Sequence, residues 1–326
     1  MGPDRTPDSG DPAAVSAPPT TPPAPLAAGD YVFTLNRFGR DVSVIPARAP
    51  FREERRIALR TPRGSRPQGM AVDGASGTLY VSFPDENLVV AYGFNGAERA
   101  RAVVNGWVSS LALDHGRRLL AAPYGGGVEF LDAVTLRPRA RVATGSARVG
   151  AYDVAIDAAA GVAAVSHSLS DEIALVSLDD FRVTARIPTD AYPAGLRVSG
   201  GTVYVSARDA DRLAAFRISD GSRLFSVATG NGPNSLDVDA ASNRVLVGND
   251  LGGEVSLLDG GTGAELARWS LGHAIPDVAL DPTGVLLFVC DSGSDRVDAL
   301  DAATGARVAS IPSGDFPVLL RAVRIP

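Results

Sequence analysis

The chain has 326 residues and carries 31 basic against 37 acidic side chains, a formal net charge of −6. This acidic balance argues against electrostatic binding of nucleic acid, and because every basic residue is an arginine, a Schiff-base lysine and a phosphate-loop lysine are excluded. The single cysteine, Cys290, excludes an intramolecular disulfide and a thiolate metal centre.

Residues 1–30 are rich in proline and alanine and contain almost no large apolar side chain. Such a segment buries too little surface to offset the entropy of ordering it, so we expect a disordered leader. It lacks the apolar stretch of a secretory signal, which favours a cytoplasmic protein. The alternative is an exported protein whose signal segment is absent from this sequence. No apolar run approaches the ~20 residues that span a bilayer, so we expect a soluble chain without a membrane span.

The rest of the chain contains seven variants of one pattern, beginning with "YVFTLNRFGRDVSVI" and ending with "LLFVCDSGSDRVDALDAATG". The spacing between successive copies is 40 to 47 residues if one column contains Phe33, Tyr80, Leu120, Ala164, Tyr204, Leu246 and Phe288. Apolar and polar residues alternate within each copy, as in "VSLLD", which indicates strands rather than helices.

Each copy predicts four short strands. Turn sequences such as "SDGS" at 219–222, "DGGTG" at 259–263 and "DAATG" at 301–305 separate two runs and are typical of hairpins. Another short run, such as "DVAIDAAAG" or "DVALDPTG", precedes each central pair. A repeat of this length with four strands is typical of a β-propeller blade.

The sequence therefore predicts an all-β, seven-bladed propeller over residues 31–326, with four antiparallel strands per blade. The C-terminal segment "FPVLLRAVRIP" matches the innermost strand that the first copy lacks. We expect it to close blade one, because closure removes the exposed sheet edges of an open ring.

The phrases "YVSARDADRLAAF" and "FVCDSGSDRVDALDAATGARVASI" resemble the YVTN, or YncE-like, repeat over about residues 31–326. The resemblance implies a seven-bladed, WD40-like ring, in a blade style shared with the methylamine-dehydrogenase heavy chain and surface-layer repeat proteins. It implies no catalytic residues, because its motif consists of strand and turn positions.

Loops leading into the innermost strands should surround the mouth of the central channel. Four of them carry the aromatic residues Trp107, Tyr152, Tyr192 and Phe316. Aromatic walls with a few polar groups are typical of small-molecule sites. The alternative is that these side chains only plug the channel.

Alternate positions on the innermost strands are Ala71, Ala112, Ala155, Arg197, Asp237, Ala279 and Arg321. This pattern predicts Arg197 and Asp237 within ion-pair reach in adjacent blades, with Arg321 across the channel. Two arginines in a water-lined tunnel could receive a carboxylate or phosphate. A structural ion pair is the alternative.

Catalytic candidates are few. His167 and His273 should lie on the mouth side, where Asp153 or Asp277 could partner them as acid or base. Two histidines without a third ligand at a fixed spacing do not make a metal site, and no nucleophile elbow or phosphate loop is present. We therefore expect no metal and no cofactor. Cys290 replaces Ser or Gly of other blades, which favours a small buried residue.

Two functional hypotheses remain open. The first is a monomeric, noncatalytic scaffold that binds a small molecule or a protein at the channel mouth. The second is a propeller-fold enzyme, such as a cyclase, lyase or hydrolase of specialised metabolism, with its site at the same mouth. They differ in whether the histidines, carboxylates and aromatic walls converge in one pocket.

Overall fold

A computed structural model describes residues 24–60, 64–145 and 150–326. In this part of the chain 28 strands form seven four-stranded antiparallel sheets, which are the blades of a propeller. The predicted fold class is thereby confirmed. Residues 1–23 of the predicted leader lie outside the described part. Within the described residues, no helix is long and apolar enough to cross a membrane.

The blades follow one another along the chain. Blade one contains β28 (Pro317–Ile325), β1 (Gly29–Asn36), β2 (Asp41–Pro46) and β3 (Arg55–Ala58). Blade two contains β4 (Met70–Asp73), β5 (Thr78–Phe83), β6 (Leu88–Gly93) and β7 (Glu98–Val103). Blade three contains β8 (Ala112–Asp114), β9 (Leu119–Tyr124), β10 (Gly127–Asp132) and β11 (Pro138–Ala143). Blade four contains β12 (Ala151–Asp157), β13 (Val162–His167), β14 (Glu172–Ser177) and β15 (Val183–Pro188).

Blades five to seven repeat this plan. Blade five contains β16 (Pro193–Ser199), β17 (Thr202–Ala207), β18 (Arg212–Arg217) and β19 (Arg223–Ala228). Blade six contains β20 (Pro233–Asp239), β21 (Arg244–Asn249), β22 (Glu254–Asp259) and β23 (Glu265–Ser270). Blade seven contains β24 (Val278–Leu280), β25 (Leu286–Asp291), β26 (Arg296–Asp301) and β27 (Arg307–Pro312). Two 3₁₀ turns, Pro84–Glu86 and Arg208–Ala210, interrupt the loops of blades two and five.

The C-terminal strand closes the ring as predicted. β28 pairs antiparallel with β1, from Gly29 opposite Ile325 to Asn36 opposite Pro317. The innermost strand of blade one thus comes from the opposite end of the chain to its neighbours. Residues before the predicted boundary at position 31 also belong to this blade, because β1 starts at Gly29 and Leu26 is buried in the adjacent core.

Hydrophobic side chains between neighbouring blades form the core. Between blades one and two, Phe33 packs against Phe94 with ring centroids 4.9 Å apart. Between blades two and three, the hydroxyl of buried Tyr80 donates to the backbone oxygen of Ala133 at 2.7 Å. Similar clusters fill the other five interfaces. Each blade is therefore held on both faces, with its first strand beside the central axis.

The hairpin turns use the residues that identified them in the sequence. The carboxylate of Asp301 accepts hydrogen bonds from the backbone N–H of Ala303 and Thr304 and from the Thr304 hydroxyl, at 2.7 to 3.1 Å. Asp259 makes the same bonds to Gly261 and Thr262. These side chains accept hydrogen bonds from turn N–H groups that have no partner in the β-sheet.

One column of the predicted repeat is shifted by a residue in blade three. Ala112 pairs with Ala121, so Ala121 and not Leu120 is equivalent to Tyr80, which pairs with Ala71. The segment "LLAAPY" at 119–124 is buried throughout. Because it lacks a polar alternation, its sequence does not define the register.

Candidate ligand-binding channel

One level of the channel is formed by alternate residues of the seven innermost strands. Four of the seven are alanines, whose short side chains leave the axis open. Three charged residues project into this space. In blade order the residues are Ala71, Ala112, Ala155, Arg197, Asp237, Ala279 and Arg321.

The predicted ion pair between Arg197 and Asp237 is confirmed, with Nε and Oδ1 3.5 Å apart. On its other side, Arg197 Nη1 lies 3.9 Å from Oδ2 of Asp153. Arg321 has its own partner, because its Nη1 lies 3.4 Å from Oδ2 of Asp277. Two arginines and three aspartates leave this group with one excess negative charge. The arginines are therefore already neutralised by protein carboxylates.

The same three carboxylates also join neighbouring blades. Each accepts a hydrogen bond from a backbone N–H of the next innermost strand, 43 residues further along the chain. This gives each carboxylate a structural role and fixes its position beside an arginine. The bonds run from Leu196 to Asp153 at 2.9 Å, from Leu280 to Asp237 at 2.9 Å and from Leu320 to Asp277 at 2.7 Å.

Burial and charge act against one another at this level. Burial raises the pKa of the Asp277 carboxyl, although Arg321 and Arg197 oppose that effect. Burial and the neighbouring Arg197 lower the pKa of Arg321. Burial also lowers the pKa of Arg197, but Asp237, Asp153 and Asp277 outweigh it and the net shift is upward. The neighbouring carboxylates thus favour the charged form of Arg197, whereas burial has the larger effect on Asp277 and Arg321.

The charged level divides the channel into two chambers. The chamber at the starts of the innermost strands, the upper chamber, has a volume of about 370 Å³. The chamber at their ends, the lower chamber, has a volume of about 320 Å³ and is lined mainly by alanine and branched aliphatic residues. Arg197 and Arg321 line both chambers. A ligand in the upper chamber would therefore rest on these two arginines.

The upper chamber is lined by more polar and charged side chains than the lower one. Its lining combines three arginines with three aspartates and several hydroxyl and amide groups. It includes Arg37, Gln68, Ser110, Tyr152, Asp153, Arg197, Asn234, Asp250, Asp277, Phe316 and Arg321. The structure thus brings Tyr152, Phe316, Arg197 and Arg321, which the sequence proposed as ligand contacts, to one cavity together with Asp153 and Asp277.

Arg37 is a charged lining residue that the sequence did not predict. Its Nε is buried and has no hydrogen-bond partner, and no carboxylate of the described residues forms a salt bridge with its guanidinium. Arg37 directly follows β1, as Asp250 follows β21 in blade six. Arg37 therefore occupies the loop position in blade one that Asp250 occupies in blade six.

Phe316 lines the upper chamber and packs against a second aromatic ring that lies outside the lining. The Phe38 and Phe316 rings pack with centroids 4.6 Å apart. The guanidinium of Arg66 lies over the Phe38 ring, 4.7 Å from its centroid. This stack stands next to Arg37, whose backbone N–H donates to the Phe316 oxygen at 3.0 Å. This side of the upper chamber is thus both apolar and positively charged.

Tyr152 stands on the opposite wall. Burial raises its pKa to about 12, so the phenol remains protonated at neutral pH. Its hydroxyl lies 3.5 Å from the Asn234 side-chain oxygen. Nearby, Asp250 faces Arg208 at 3.6 Å, and burial raises the pKa of its carboxyl. This wall offers hydrogen-bonding groups without a free positive charge.

Other predicted ligand contacts lie elsewhere. Trp107 is 51% exposed and lies outside the upper-chamber lining. Tyr192 also lies outside this lining, although its ring contacts that of Tyr152 at a centroid distance of 6.2 Å. Asp237 lines the lower chamber. The four aromatic residues therefore do not surround a single cavity.

Neither catalytic candidate histidine lines the upper chamber. His167 is fully buried at the end of β13, and burial lowers its pKa. His273 lies between two buried carboxylates of blade seven, with Nδ1 3.9 Å from Asp291 and Nε2 3.6 Å from Asp298. The Asp298 contact raises the pKa of His273. The structure thus separates both histidines from Asp153 and Asp277.

Cys290 is fully buried on β25, as the sequence analysis predicted. Burial raises the pKa of its thiol well above the usual value, which suppresses nucleophilic thiolate. Among residues 24–60, 64–145 and 150–326, no group of three or more histidine, cysteine, aspartate or glutamate side chains is arranged to hold a metal ion.

Solved structures share this fold. A crystal structure of a functionally unknown protein from Desulfotomaculum acetoxidans aligns with a TM-score of 0.78 at 12% identity, covering 91% of this chain and 99% of that one. The structure of U3-55K aligns with a TM-score of 0.70 at 12% identity, covering 79% and 85%. No family model matches the sequence. No curated protein matches it either. The comparisons therefore establish the propeller fold alone.

Proposed function

We propose that the protein is a noncatalytic, YncE-like propeller that binds a small ligand with an anionic group in its upper chamber. The observation that carries the proposal is the Arg37 guanidinium, which lines a cavity of about 370 Å³ and has no carboxylate partner among the described residues. Guanidinium groups bind carboxylates and phosphates through paired N–H donors. Arg37 therefore replaces Arg197 and Arg321 as the principal anion contact.

The remaining walls define the rest of the ligand. The Phe38 and Phe316 rings offer an apolar surface beside Arg37, while Tyr152 and Asn234 offer hydrogen bonds on the far wall. The charged floor carries an excess negative charge and repels a second anionic group. A ligand with one anionic end and a polar, uncharged or cationic opposite end fits this distribution best.

The absence of all three histidines from the chamber lining supports binding rather than catalysis. The enzyme alternative would require a proton-transfer group of suitable pKa beside the bound ligand. The Tyr152 phenol is protonated, and the carboxylates of Asp153 and Asp277 already accept hydrogen bonds from the backbone of the next blade. These groups are therefore poorly suited to proton transfer.

The test is a melting-temperature screen with small monocarboxylates, amino acids and sugar phosphates, each in large excess. A ligand that binds only the folded state raises the melting temperature, and the rise grows with the logarithm of its concentration above Kd. We expect one class to stabilise the protein, Arg37→Gln to abolish the shift and the control Arg182→Gln, at an 82% exposed side chain, to preserve it. The proposal is wrong if no compound shifts the wild type, or if Arg37→Gln responds fully.

A further inference from the structure

A separate pocket lies between blades two and three, at the ends of the innermost strands and away from the upper chamber. Its volume is about 220 Å³. Leu113, Ala133 and Val134 provide apolar walls, and Val134 is 61% exposed at its rim. We call this pocket the blade 2–3 groove. It is large enough for a small organic molecule and is open to solvent.

Basic side chains outnumber acidic ones in the blade 2–3 groove. Arg99, Arg118 and His115 face a single carboxylate, Asp73. Other groups of the protein already bind the Asp73 carboxylate. It accepts hydrogen bonds from the Ser76 hydroxyl at 2.7 Å and from two turn N–H groups at 3.1 and 3.2 Å, and it lies 3.2 Å from His115 Nδ1. Asp73 therefore positions the turn and the imidazole rather than neutralising the arginines.

The two arginines retain unused donors. The carboxylate nearest to Arg118 is that of Asp132, 3.9 Å away, and Arg139 already pairs with it at 2.5 Å. Arg99 donates to the Ser76 backbone oxygen at 3.0 Å and to the Thr78 hydroxyl, and no carboxylate of the described residues forms a salt bridge with it. The groove thus combines an apolar wall with incompletely neutralised positive charge.

The equivalent position between blades six and seven shows what the fold alone produces. A groove of about 180 Å³ is present there, with Asp239 and Leu246 in the positions of Asp73 and Tyr80. Val285, which precedes β25, replaces Arg118, which precedes β9. This second groove is lined by two aspartates and one arginine. The cavity is therefore a general feature of the blades, whereas the positive charge belongs to the blade 2–3 groove.

We infer that the blade 2–3 groove is a second binding site, specific for a small carboxylate with an aromatic or branched aliphatic body. The apolar body packs on Leu113, Ala133 and Val134. The carboxylate accepts hydrogen bonds from Arg118 and Arg99, which are not fully used within the protein. The inference follows from charge complementarity and is independent of the ligand proposed for the upper chamber.

Benzoate is the probe, and benzamide is its uncharged counterpart. In the full chain labelled at alanine and valine methyls, benzoate titration should shift the Ala133 and Val134 signals and leave those of Ala303 in the blade 6–7 groove unchanged. Arg118→Asn removes the guanidinium, suits the left-handed backbone at this position (φ of +49°) and should weaken benzoate binding at least about tenfold. Benzamide should bind the wild type as weakly as benzoate binds this variant.

Two further variants keep the test independent of folding and of the upper chamber. Val134→Glu places a negative charge at an exposed rim position and should abolish the benzoate shift of the remaining reporter, Ala133. Arg37→Gln should leave them intact. Equal shifts in both grooves, or an unchanged benzoate affinity in Arg118→Asn, would overturn the inference.

Discussion

The carboxylate of Asp277 in blade seven accepts a hydrogen bond from the backbone N–H of Leu320 in blade one, 2.7 Å away. This bond crosses the joint at which the two ends of the chain meet. The same carboxylate faces Arg321, so a single side chain secures the closing strand and neutralises a channel charge. The joint is thus stabilised by the hydrogen bond and the ion pair of Asp277 as well as by its hydrophobic core.

Asp277→Ala should therefore destabilise the ring. It leaves a buried N–H without an acceptor and Arg321 without its carboxylate, and we expect a loss of about 1.5–3 kcal/mol in the free energy of unfolding. Urea denaturation measures it. Asp277→Asn, which retains an acceptor oxygen, should lose less. The control Asp209→Ala, at an exposed loop position, should be nearly neutral. Equal effects of Asp277→Ala and Asp209→Ala would show that the contacts of Asp277 do not stabilise the closing strand.

Deleting residues 316–326 should have a much larger effect. The deletion removes β28, leaves its only paired strand, β1, as an exposed sheet edge, and removes the packing of β28 against β24 and β4 of the two neighbouring blades. We expect the truncated chain to aggregate or to melt far below the full chain, as light scattering and circular dichroism would show. Arg324→Ala removes only an exposed ion pair with Asp30 and should change little. An unchanged melting transition after truncation would be incompatible with closure by β28.

The repeats predicted the blades and their closure because most copies alternate apolar and polar residues within their strands and contain turn sequences rich in Asp and Gly. The predicted register of blade three was wrong by one residue, because its apolar run from Leu119 has no alternation of apolar and polar residues. The ion pair between Arg197 and Asp237 was predictable, since strand alternation fixes which side chains face the axis. Loop residues follow no such period. The sequence could therefore neither place Trp107 outside the chamber nor reveal that His273 faces blade seven.

Gly305 gives a test of packing between blades. A Cβ at this position would lie 2.3 Å from ring atoms of Trp269 in blade six, and its φ of +70° disfavours other residues. Gly305→Ala should therefore cost about 1–3 kcal/mol through overpacking and backbone strain. Gly272→Ala is the matched control, because its φ is +77° and no atom lies within 4 Å of the added Cβ.

The difference between these two glycine variants isolates the contact with Trp269. Thermal unfolding should show a greater loss for Gly305→Ala than for Gly272→Ala. In the double variant Gly305→Ala with Trp269→Leu, the glycine substitution should cost less than it does alone, because the smaller side chain provides space. Full additivity would show that the tryptophan ring does not restrict position 305.

His167 and His273 should give opposite pH dependences of stability. The Asp298 contact raises the pKa of His273 above 6.5, so its stabilising contribution is fully present below pH 6.5 and is lost as pH rises through the folded-state pKa. The ring faces Asp291 and Asp298, with Arg296 and Arg307 paired to the same carboxylates. His273→Gln should therefore remove the decline in stability above pH 6.5.

His167 should act in the other direction. Burial lowers its pKa, so folding favours the neutral ring, and stability is lost as pH falls from 6.5 through the lower folded-state pKa. Within each window one histidine changes the free energy of unfolding by at most about 1.4 kcal/mol per pH unit. Unfolding midpoints measured between about pH 5 and 8 separate the two effects. His167→Gln should reduce the acid-side loss and leave the alkaline side unchanged, whereas the same change on both sides in both variants would contradict the assignment.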